Sequence, residues 1–226
     1  MIGIIAAMKE EMIEILNIMN MEESKEIYGL KINKGKINQK EVVLVQAGVG
    51  KVNAARTTQI LIDNFNIEYI INVGSAGTSK ENINIGDIVI GKKMVQHDFD
   101  ITAFGHKKGY ITDIGRELIM NEDLLNKYKE IINNINRDYQ TIIGTIASGD
   151  IFCTDIEKTK GIEKEFDADA IEMEGAAIAQ VCKLANIPWI IIRSISDVAN
   201  GKNASIHEHY LEEVSKRCAK ILKQAI

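Results

Sequence analysis

Residues 189–197 read WIIIRSISD, a stretch that is almost entirely apolar until it ends in serine and aspartate. A strand without a polar face has to be covered on both sides, which is typical of a sheet that lies between two layers of helices. Residues 189–195 therefore predict a central strand. Further predicted strands lie at residues 2–7, 69–73, 87–96, 141–147 and 168–172.

Segments with helical spacing alternate with these strands. The predicted helices begin after residue 7 and cover residues 52–62, 122–135, 174–185 and 205–222. This alternation predicts the α/β class, in three layers with the sheet in the middle. Two additional alternating segments, residues 26–33 and 41–47, flank a stretch rich in glycine and asparagine and predict a hairpin.

Length and charge limit the kind of protein this is. At 226 residues, with no linker and no internal repeat, the chain is predicted to form one domain over residues 1–226. Its 27 basic and 32 acidic residues give a net charge of -5 without a long block of either sign. This balance argues against nucleic acid or an anionic membrane as a partner and favours a small-molecule ligand.

Apolar runs and cysteines bear on location and on metals. The apolar start at residues 2–7 is too short for a signal peptide, and no run has the length of a membrane span, so we expect a cytoplasmic protein. The three cysteines are scattered without the spacing of a disulfide framework or a zinc site. His97 and Asp98 lack a third ligand at fitting spacing, so we interpret them as polar loop residues and expect no metal.

The ends of the predicted strands carry the residues that suit chemistry. In a covered, mostly parallel sheet, ligands bind beyond the carboxyl ends of the strands. Arg193 lies within an apolar run and needs an acidic partner, because an unpaired buried charge is costly. Asp197 ends the same run, where it is either a turn or helix-capping residue or a general acid.

Three more acids stand where a predicted strand meets a predicted helix. Glu11 begins the first helix, and Glu172 and Glu174 precede a later one; each is either a favourable partner of the helix dipole or part of a site. One member of the pair Glu172 and Glu174 can bind Arg193 while facing a ligand. After another strand, residues 74–77 (GSAG) predict a turn that approaches a sugar or phosphate closely.

The same residues, taken in order, resemble a known family. The segments are IGIIAAMKEE at 2–11, GVGKVNAA at 48–55, NVGSAG at 72–77, GDIV at 86–89, SGDIF at 148–152, IEME at 171–174 and RSISDVA at 193–199. Their order and spacing resemble the nucleoside phosphorylase and nucleosidase superfamily, and within it the 5'-methylthioadenosine/S-adenosylhomocysteine nucleosidases. The match runs essentially end to end. It implies a three-layer α/β/α fold with a central mixed, twisted β-sheet.

The resemblance implies hydrolysis of the N-glycosidic bond of these adenine nucleosides, with 5'-deoxyadenosine as a further candidate substrate, no cofactor, and a role in methionine salvage. Glu11 would position and activate the attacking water, and Asp197, assisted by Ser196, would deliver a proton to adenine N7. Carboxylates suit this reaction because its transition state resembles an oxocarbenium ion.

The resemblance also implies which residues hold the nucleoside. Glu174 would bind the ribose 2' and 3' hydroxyls, Arg193 would orient Glu174 and the water network, and Ser75 would lie close to the water and the sugar. Phe152 would stack on the purine, and the backbone of Cys153 would read its Watson-Crick edge.

An apolar pocket for the 5' substituent follows from the same resemblance. It would be lined by Met8, Val49, Met173 and Phe104 of the partner subunit, so we expect a homodimer. Glu172 and Gly77 complete the expected substrate-binding set. His106 and His207 stand where relatives commonly place aromatic residues, which leaves the preferred 5' group open.

Three alternatives stay open at this point. A phosphate-dependent purine nucleoside phosphorylase needs cationic side chains, yet Asn72, Glu10 and Glu11 stand where similar phosphorylases carry arginines. A nucleoside-binding module without catalysis is disfavoured by the presence of Glu11, Glu174 and Asp197 together. An aminofutalosine-type nucleosidase would use the same chemistry on a different 5' group.

Overall fold

The computed structural model describes residues 1–135, 139–198 and 203–226. Its strands are β1 (Ile2–Ala6), β2 (Asn20–Ile27), β3 (Leu30–Ile37), β4 (Lys40–Gln46), β5 (Tyr69–Thr78), β6 (Ile88–Gln96), β7 (Leu118–Ile119), β8 (Thr141–Ser148), β9 (Ala168–Glu172) and β10 (Trp189–Val198). Its helices are α1 (Lys9–Ile18), α2 (Lys51–Asn64), α3 (Glu122–Ile135), α4 (Ile156–Phe166), α5 (Gly175–Leu184) and α6 (Asn203–Ala225), with a 3₁₀ turn at Thr102–Phe104.

Five strands of the sheet close into a ring. β10 pairs in parallel with β5 and antiparallel with β6, β6 pairs in parallel with β8, and β8 pairs in parallel with β9. β9 then returns to β5 through one antiparallel pair, Gly77 opposite Ile171. From β5 the sheet continues outward through β1, β4, β3 and β2, while β7 pairs with β6. The sheet is therefore mixed, as predicted.

Helices cover this sheet in two groups. α6 packs against α1 and α3, and α2 packs against α5. β1 is buried along its whole length, and β10 is buried up to its last residue, because apolar side chains on both faces contact helices. The predicted three-layer α/β class is confirmed. In the described residues, no helix combines the length and apolar content that crossing a membrane requires.

β5 is longer than the sequence predicts. The prediction ended this strand at residue 73 and placed a turn at residues 74–77, which is wrong. Residues 74–78 stay extended because they pair with residues 193–198 of β10. Gly74 and Gly77 also lack the positive φ angles that a glycine turn uses.

The predicted hairpin is in fact a meander of three antiparallel strands. The first predicted segment, residues 26–33, contains a turn at Tyr28 and Gly29, whose φ angles are 50° and 77°. β2 precedes this turn and β3 follows it, and β4 then pairs with β3. β2 is almost wholly exposed, so it lacks the apolar alternation by which a strand is found in a sequence.

One helix was missed in the sequence. α4 begins at Asp155, whose side chain accepts hydrogen bonds from the backbone N–H groups of Glu157 and Lys158 at 2.9 and 3.4 Å. Its buried face carries Thr159 and Ile162. An acidic N-cap followed by apolar residues at helical spacing was the signal that predicts this helix.

Candidate active site

A cavity of about 390 Å³ opens at the carboxyl ends of the strands, where ligands bind in sheets of this class. Its walls come from the segments after β1, β4 and β8, from the ends of β5 and β9, and from β10 and α4. It is lined by Ala7, Met8, Glu11, Val49, Ser75, Ala76, Gly77, Thr78, Ile151, Phe152, Cys153, Thr159, Ile171, Glu172, Met173, Glu174 and Asp197. Three of the predicted site residues, Arg193, Ser196 and Phe104, lie outside this lining.

Glu11 is held on the cavity wall by four hydrogen bonds. One carboxylate oxygen accepts the backbone N–H groups of Ala7 and Met8 at 3.0 and 3.1 Å. The other accepts the backbone N–H and the hydroxyl of Ser75 at 2.9 and 3.1 Å. Glu11 therefore caps α1 and also faces the cavity, so the two interpretations of its position hold together.

Asp197 lies inside β10, not in a turn or at a helix start. A bulge at Ser196 shifts the register, so that Ile195 stands opposite Ala76 and Asp197 stands opposite Gly77. The Ser196 hydroxyl donates to Asp197 Oδ1 at 2.9 Å. Asp197 is 4% exposed, and it lines the cavity on the side of β5.

Two glycines of β5 make room for these two acids. A β-carbon at Gly74 would lie 2.6 Å from Glu11 Oε1, and one at Gly77 would lie 2.7 Å from Asp197 Oδ2. Both distances are well inside van der Waals contact, so a larger residue would displace the carboxylate. Their sequence position predicts close approach to a ligand, and in the structure both glycines also approach the acids.

Arg193 pairs with Glu172, not with Glu174. Its guanidinium, which is 1% exposed, donates to Glu172 Oε2 and to Asn72 Oδ1, the latter at 2.5 Å. The expectation that Arg193 orients Glu174 and the water network stays a prediction. Glu172 accepts the backbone N–H of Glu174 at 3.0 Å, so hydrogen bonds connect Arg193 to Glu174 through Glu172.

Glu172 has its hydrogen-bonding capacity filled by the protein. Besides Arg193 and the N–H of Glu174, it accepts the hydroxyl of Ser148 and the backbone N–H of Gly175. Burial alone would raise the pKa of Glu172, but the charge of Arg193 and these donors hold that pKa below its usual range. Glu172 is thus a charged anchor for the start of α5.

The surroundings of Glu174 shift its pKa in the opposite direction to that of Glu172. It is 7% exposed and accepts one backbone N–H, that of Gly50, at 2.8 Å. Burial raises the pKa of Glu174 to about 8, with the negative charges of Glu172 and Glu11 adding to the effect. A carboxyl group of this kind gains hydrogen bonds when a ligand brings hydroxyl donors to it.

Part of the cavity lining follows β8. Phe152 and Cys153, which follow β8, lie there as predicted candidates. Ile151, Thr159 and Ile171 also line the cavity and were not among the predicted site residues. Thr159 belongs to α4, so recognition of that helix was the signal that could have found it.

Three apolar residues that were predicted to hold the 5' substituent also line the cavity. They are Met8, Val49 and Met173. Phe104 lies on the 3₁₀ turn with 81% of its surface exposed and does not reach this cavity. A contribution of Phe104 of the partner subunit stays a prediction.

Of the two histidines that left the 5' group open, His106 is the one whose side chain is described. His106 stacks on Tyr110 of its own loop, with ring centroids 4.4 Å apart. The side chain of His207 lies outside the described residues. His106 is not among the residues that line the cavity.

The charged side chains in the cavity lining are all acidic. Four carboxyl groups line it, and no lysine or arginine stands among its described lining residues. Asn72, which lies behind the wall, uses its amide to donate to Ile5 O at 2.9 Å and to accept from Arg193. Within the described residues, no group of three or more His, Cys, Asp and Glu is placed to hold a metal ion.

Comparison with known proteins agrees with this geometry. A family model described as the phosphorylase superfamily matches residues 1–226. A 5'-methylthioadenosine/S-adenosylhomocysteine nucleosidase of Staphylococcus haemolyticus (strain JCSC1435) is 41% identical, covering 100% of this chain and 99% of the relative. A Helicobacter pylori nucleosidase of the same name, solved with a bound pyrrolidine compound, has a TM-score of 0.94 at 33% identity over 99% of this chain and 96% of that one.

A second solved structure carries a different name. The futalosine hydrolase of Helicobacter pylori strain 26695 also has a TM-score of 0.94 at 33% identity, with 99% of this chain and 96% of that chain covered. The chain belongs to the phosphorylase superfamily. Within it, the chain falls among the 5'-methylthioadenosine/S-adenosylhomocysteine nucleosidases, and it is therefore a hydrolase of N-glycosidic bonds. The family predicted from the sequence is confirmed.

Proposed function

We propose that this enzyme hydrolyses 5'-methylthioadenosine and S-adenosylhomocysteine to adenine and the thio-substituted ribose. The single observation that carries the proposal is that Glu11, Glu174 and Asp197, distant in sequence, line one cavity that has no basic side chain among its described lining residues. Such a wall suits a water nucleophile and a positively charged ribose, and it would repel phosphate.

Departure of adenine is the step assigned to Asp197. Its carboxyl group would give a proton to N7 as the glycosidic bond breaks, so that the bonding electrons leave with a neutral base. The hydroxyl of Ser196, 2.9 Å from Oδ1, would keep this carboxyl oriented. General acid catalysis of this kind contributes about 10² to 10⁴ in rate.

Addition of water is the step assigned to Glu11. Its carboxylate would accept a proton from the water that attacks the anomeric carbon, and the new C–O bond completes the sugar product. The four donors that hold Glu11 would keep its carboxyl group oriented, and its negative charge would stabilise the oxocarbenium-like sugar.

The ribose would be held by Glu174. Two neighbouring hydroxyls can donate to one ionised carboxylate, and the only described donor to Glu174 within the chain is the backbone N–H of Gly50. Because Arg193 and Glu172 fix the start of α5, Glu174 is presented on a rigid support. Binding of the diol would then place the anomeric carbon between Glu11 and Asp197.

A second candidate substrate follows from one comparison. The futalosine hydrolase structure matches this chain as well as the nucleosidase structures do, so a futalosine-type nucleoside would fit the same reaction with another 5' group. Comparison of kcat/KM for methylthioadenosine, S-adenosylhomocysteine, 5'-deoxyadenosine and aminofutalosine would rank them. A preference for aminofutalosine would replace the proposed substrate and keep the proposed chemistry.

We also propose a cytoplasmic homodimer that serves methionine salvage. Phe104, Val52 and Val49, which are 81%, 78% and 47% exposed, supply apolar surface that a partner subunit would cover. Sedimentation equilibrium tests the dimer. A monomer with full activity would remove the contribution of Phe104 of the partner subunit.

The decisive experiment is adenine release from methylthioadenosine in phosphate-free buffer by the purified chain. We expect turnover that added phosphate does not accelerate, and free thio-ribose instead of its 1-phosphate as the product. Release that requires phosphate would establish a phosphorylase. Binding of the nucleoside without release would establish a binding module.

A further inference from the structure

A closed ring of polar contacts joins three loops at the rim of the cavity. The backbone N–H of Lys51 donates to Asp150 Oδ1 at 2.7 Å. The backbone N–H of Asp150 donates to Asp98 Oδ2 at 2.9 Å, and Lys51 Nζ donates to Asp98 Oδ1 at 2.6 Å. The ring therefore ties the start of α2 to the loops that follow β6 and β8.

The ring stands next to two groups that face the proposed nucleoside. Gly50 directly precedes Lys51 and donates its N–H to Glu174 Oε1 at 2.8 Å. Phe152 follows Asp150 by two residues and lines the cavity. Gly50 has a φ of 97°, and a β-carbon there would lie 3.1 Å from Asp150 Oδ1, so the ring packs closely on its backbone.

Two of the three charged side chains in the ring are largely enclosed, whereas Asp150 is exposed. The side chains of Lys51 and Asp98 are 17% and 20% exposed. Burial alone would raise the pKa of Asp98, but hydrogen bonds from Lys51 and from the N–H of Asp150 hold that pKa below its usual range. Lys51 Nζ also donates to Gln96 Oε1 at 3.0 Å. Such a pair is held in one geometry, unlike a solvated surface pair.

We propose that Lys51 is a positioning residue for the nucleosidase reaction. Through Asp98 and Asp150 it holds the N–H of Gly50 against Glu174 and holds the loop that carries Phe152. Lys51 itself lies outside the cavity lining and touches no reacting atom. This inference rests on the proposed function. It assigns a role to a residue outside the cavity lining.

The polar contacts of Lys51, Asp98 and Asp150 affect how nucleoside binding depends on pH. Glu174 faces three charged groups, Glu172 at the end of β9, Glu11 in α1 and Arg193 in β10, and it receives the N–H of Gly50. That N–H stabilises the ionised carboxylate, so its loss raises the pKa of Glu174. Ribose hydroxyls donate best to the ionised form, and binding then requires a higher pH.

The experiment compares Lys51→Met, which keeps the aliphatic stem, with Lys51→Arg and with Lys93→Met as a matched control. Lys93 lies on β6 and pairs with Glu117 at 3.2 Å on the surface. For Lys51→Met we expect KM for methylthioadenosine to rise about tenfold or more with kcat within about threefold, since small errors in placing a binding group are costly. In wild type, KM should fall as the pH rises and Glu174 ionises. In Lys51→Met, this fall in KM should occur at a higher pH.

Further variants separate positioning from folding. Lys51→Arg should have a KM close to that of wild type, and Asp98→Asn should raise KM as Lys51→Met does. The double variant Lys51→Met/Asp98→Asn should raise KM no further than either single variant. If Lys51→Met does not fold, Asp98→Asn carries the test. A KM equal to that of Lys93→Met, or a raised KM with an unmoved pH profile, would overturn the inference. A wild-type chain that releases no adenine would overturn the proposed function itself.

Discussion

Gly77 and Asp197 are in direct contact across two paired strands. They stand opposite each other in the parallel ladder between β5 and β10, and a β-carbon on Gly77 would approach Asp197 Oδ2 to 2.7 Å. Glycine weakens a strand, because it loses more backbone freedom on folding than other residues do. Its presence here is explained by the space that the carboxylate of Asp197 occupies.

Gly77→Ala should therefore impair turnover more than folding. The backbone of Gly77 suits alanine, but the new methyl group would push the Asp197 carboxylate away from the purine, and a displacement of about 1 Å can cost about 100-fold in rate. Steady-state kinetics and thermal unfolding measure the two effects. Gly161→Ala in α4, where a β-carbon meets nothing within 4 Å, is the control. Unchanged kcat in Gly77→Ala would contradict this explanation.

Asp197→Asn should separate binding from chemistry. The amide cannot donate an acidic proton to N7, so kcat should fall by about 10² to 10⁴ while the nucleoside still binds. Rapid-quench assays and calorimetric titration with methylthioadenosine provide the two readings. Ser196→Ala, which removes the hydroxyl that bonds Asp197 at 2.9 Å, should show a smaller loss of kcat. Wild-type turnover in Asp197→Asn would remove Asp197 from the mechanism.

Glu174 should make stability depend on pH in an unusual direction for a carboxylate. Burial raises the pKa of Glu174 to about 8 from 4.5, so the folded chain favours the protonated form. The stability contributed by that form is complete below the unfolded pKa and is lost as the pH rises through about 8. The Tm of Glu174→Gln minus the Tm of wild type should therefore be larger at alkaline pH than at acid pH.

Calorimetric scans of wild type and Glu174→Gln at about pH 5 and about pH 9 test this expectation. The exposed neighbour of Glu11, Glu10, supplies the control Glu10→Gln. The same Glu174→Gln variant should lose affinity for the ribose, because an amide accepts hydroxyl hydrogen bonds less strongly than a carboxylate. A stability difference that is constant with pH would contradict the raised pKa.

Arg193→Met should destabilise the fold strongly. The variant leaves the carboxylate of Glu172, whose side chain is 2% exposed, without its charged partner, and loss of one member of a buried pair costs about 3–5 kcal/mol. Urea unfolding measures this loss. Lys93→Met breaks a half-exposed pair and should cost about 0–1 kcal/mol. Similar losses of unfolding free energy in both variants would show that the buried pair contributes no more to stability than the surface pair.

Much of this architecture could be predicted because its signals are local. The apolar runs of β1, β8 and β10 and the helical spacing of α2, α3 and α5 lie within single segments, and they indicated the α/β class. The acids Glu11, Glu172, Glu174 and Asp197 could be singled out because each follows an apolar run. By contrast, β2 and the true end of β5 were missed, since pairing with neighbouring strands defines them.

The order of residues alone was sufficient for the class of fold, the family and the identity of the acids, because periodicity and motif spacing are properties of a linear chain. It could not assign Arg193 to Glu172 instead of Glu174, or show that Gly74 and Gly77 accommodate two carboxylates. It also gave no sign of the ring formed by Lys51, Asp98 and Asp150. Those relationships arise only when strands far apart in sequence pair in one register, since hydrogen bonds and steric exclusion act over a few ångströms in space.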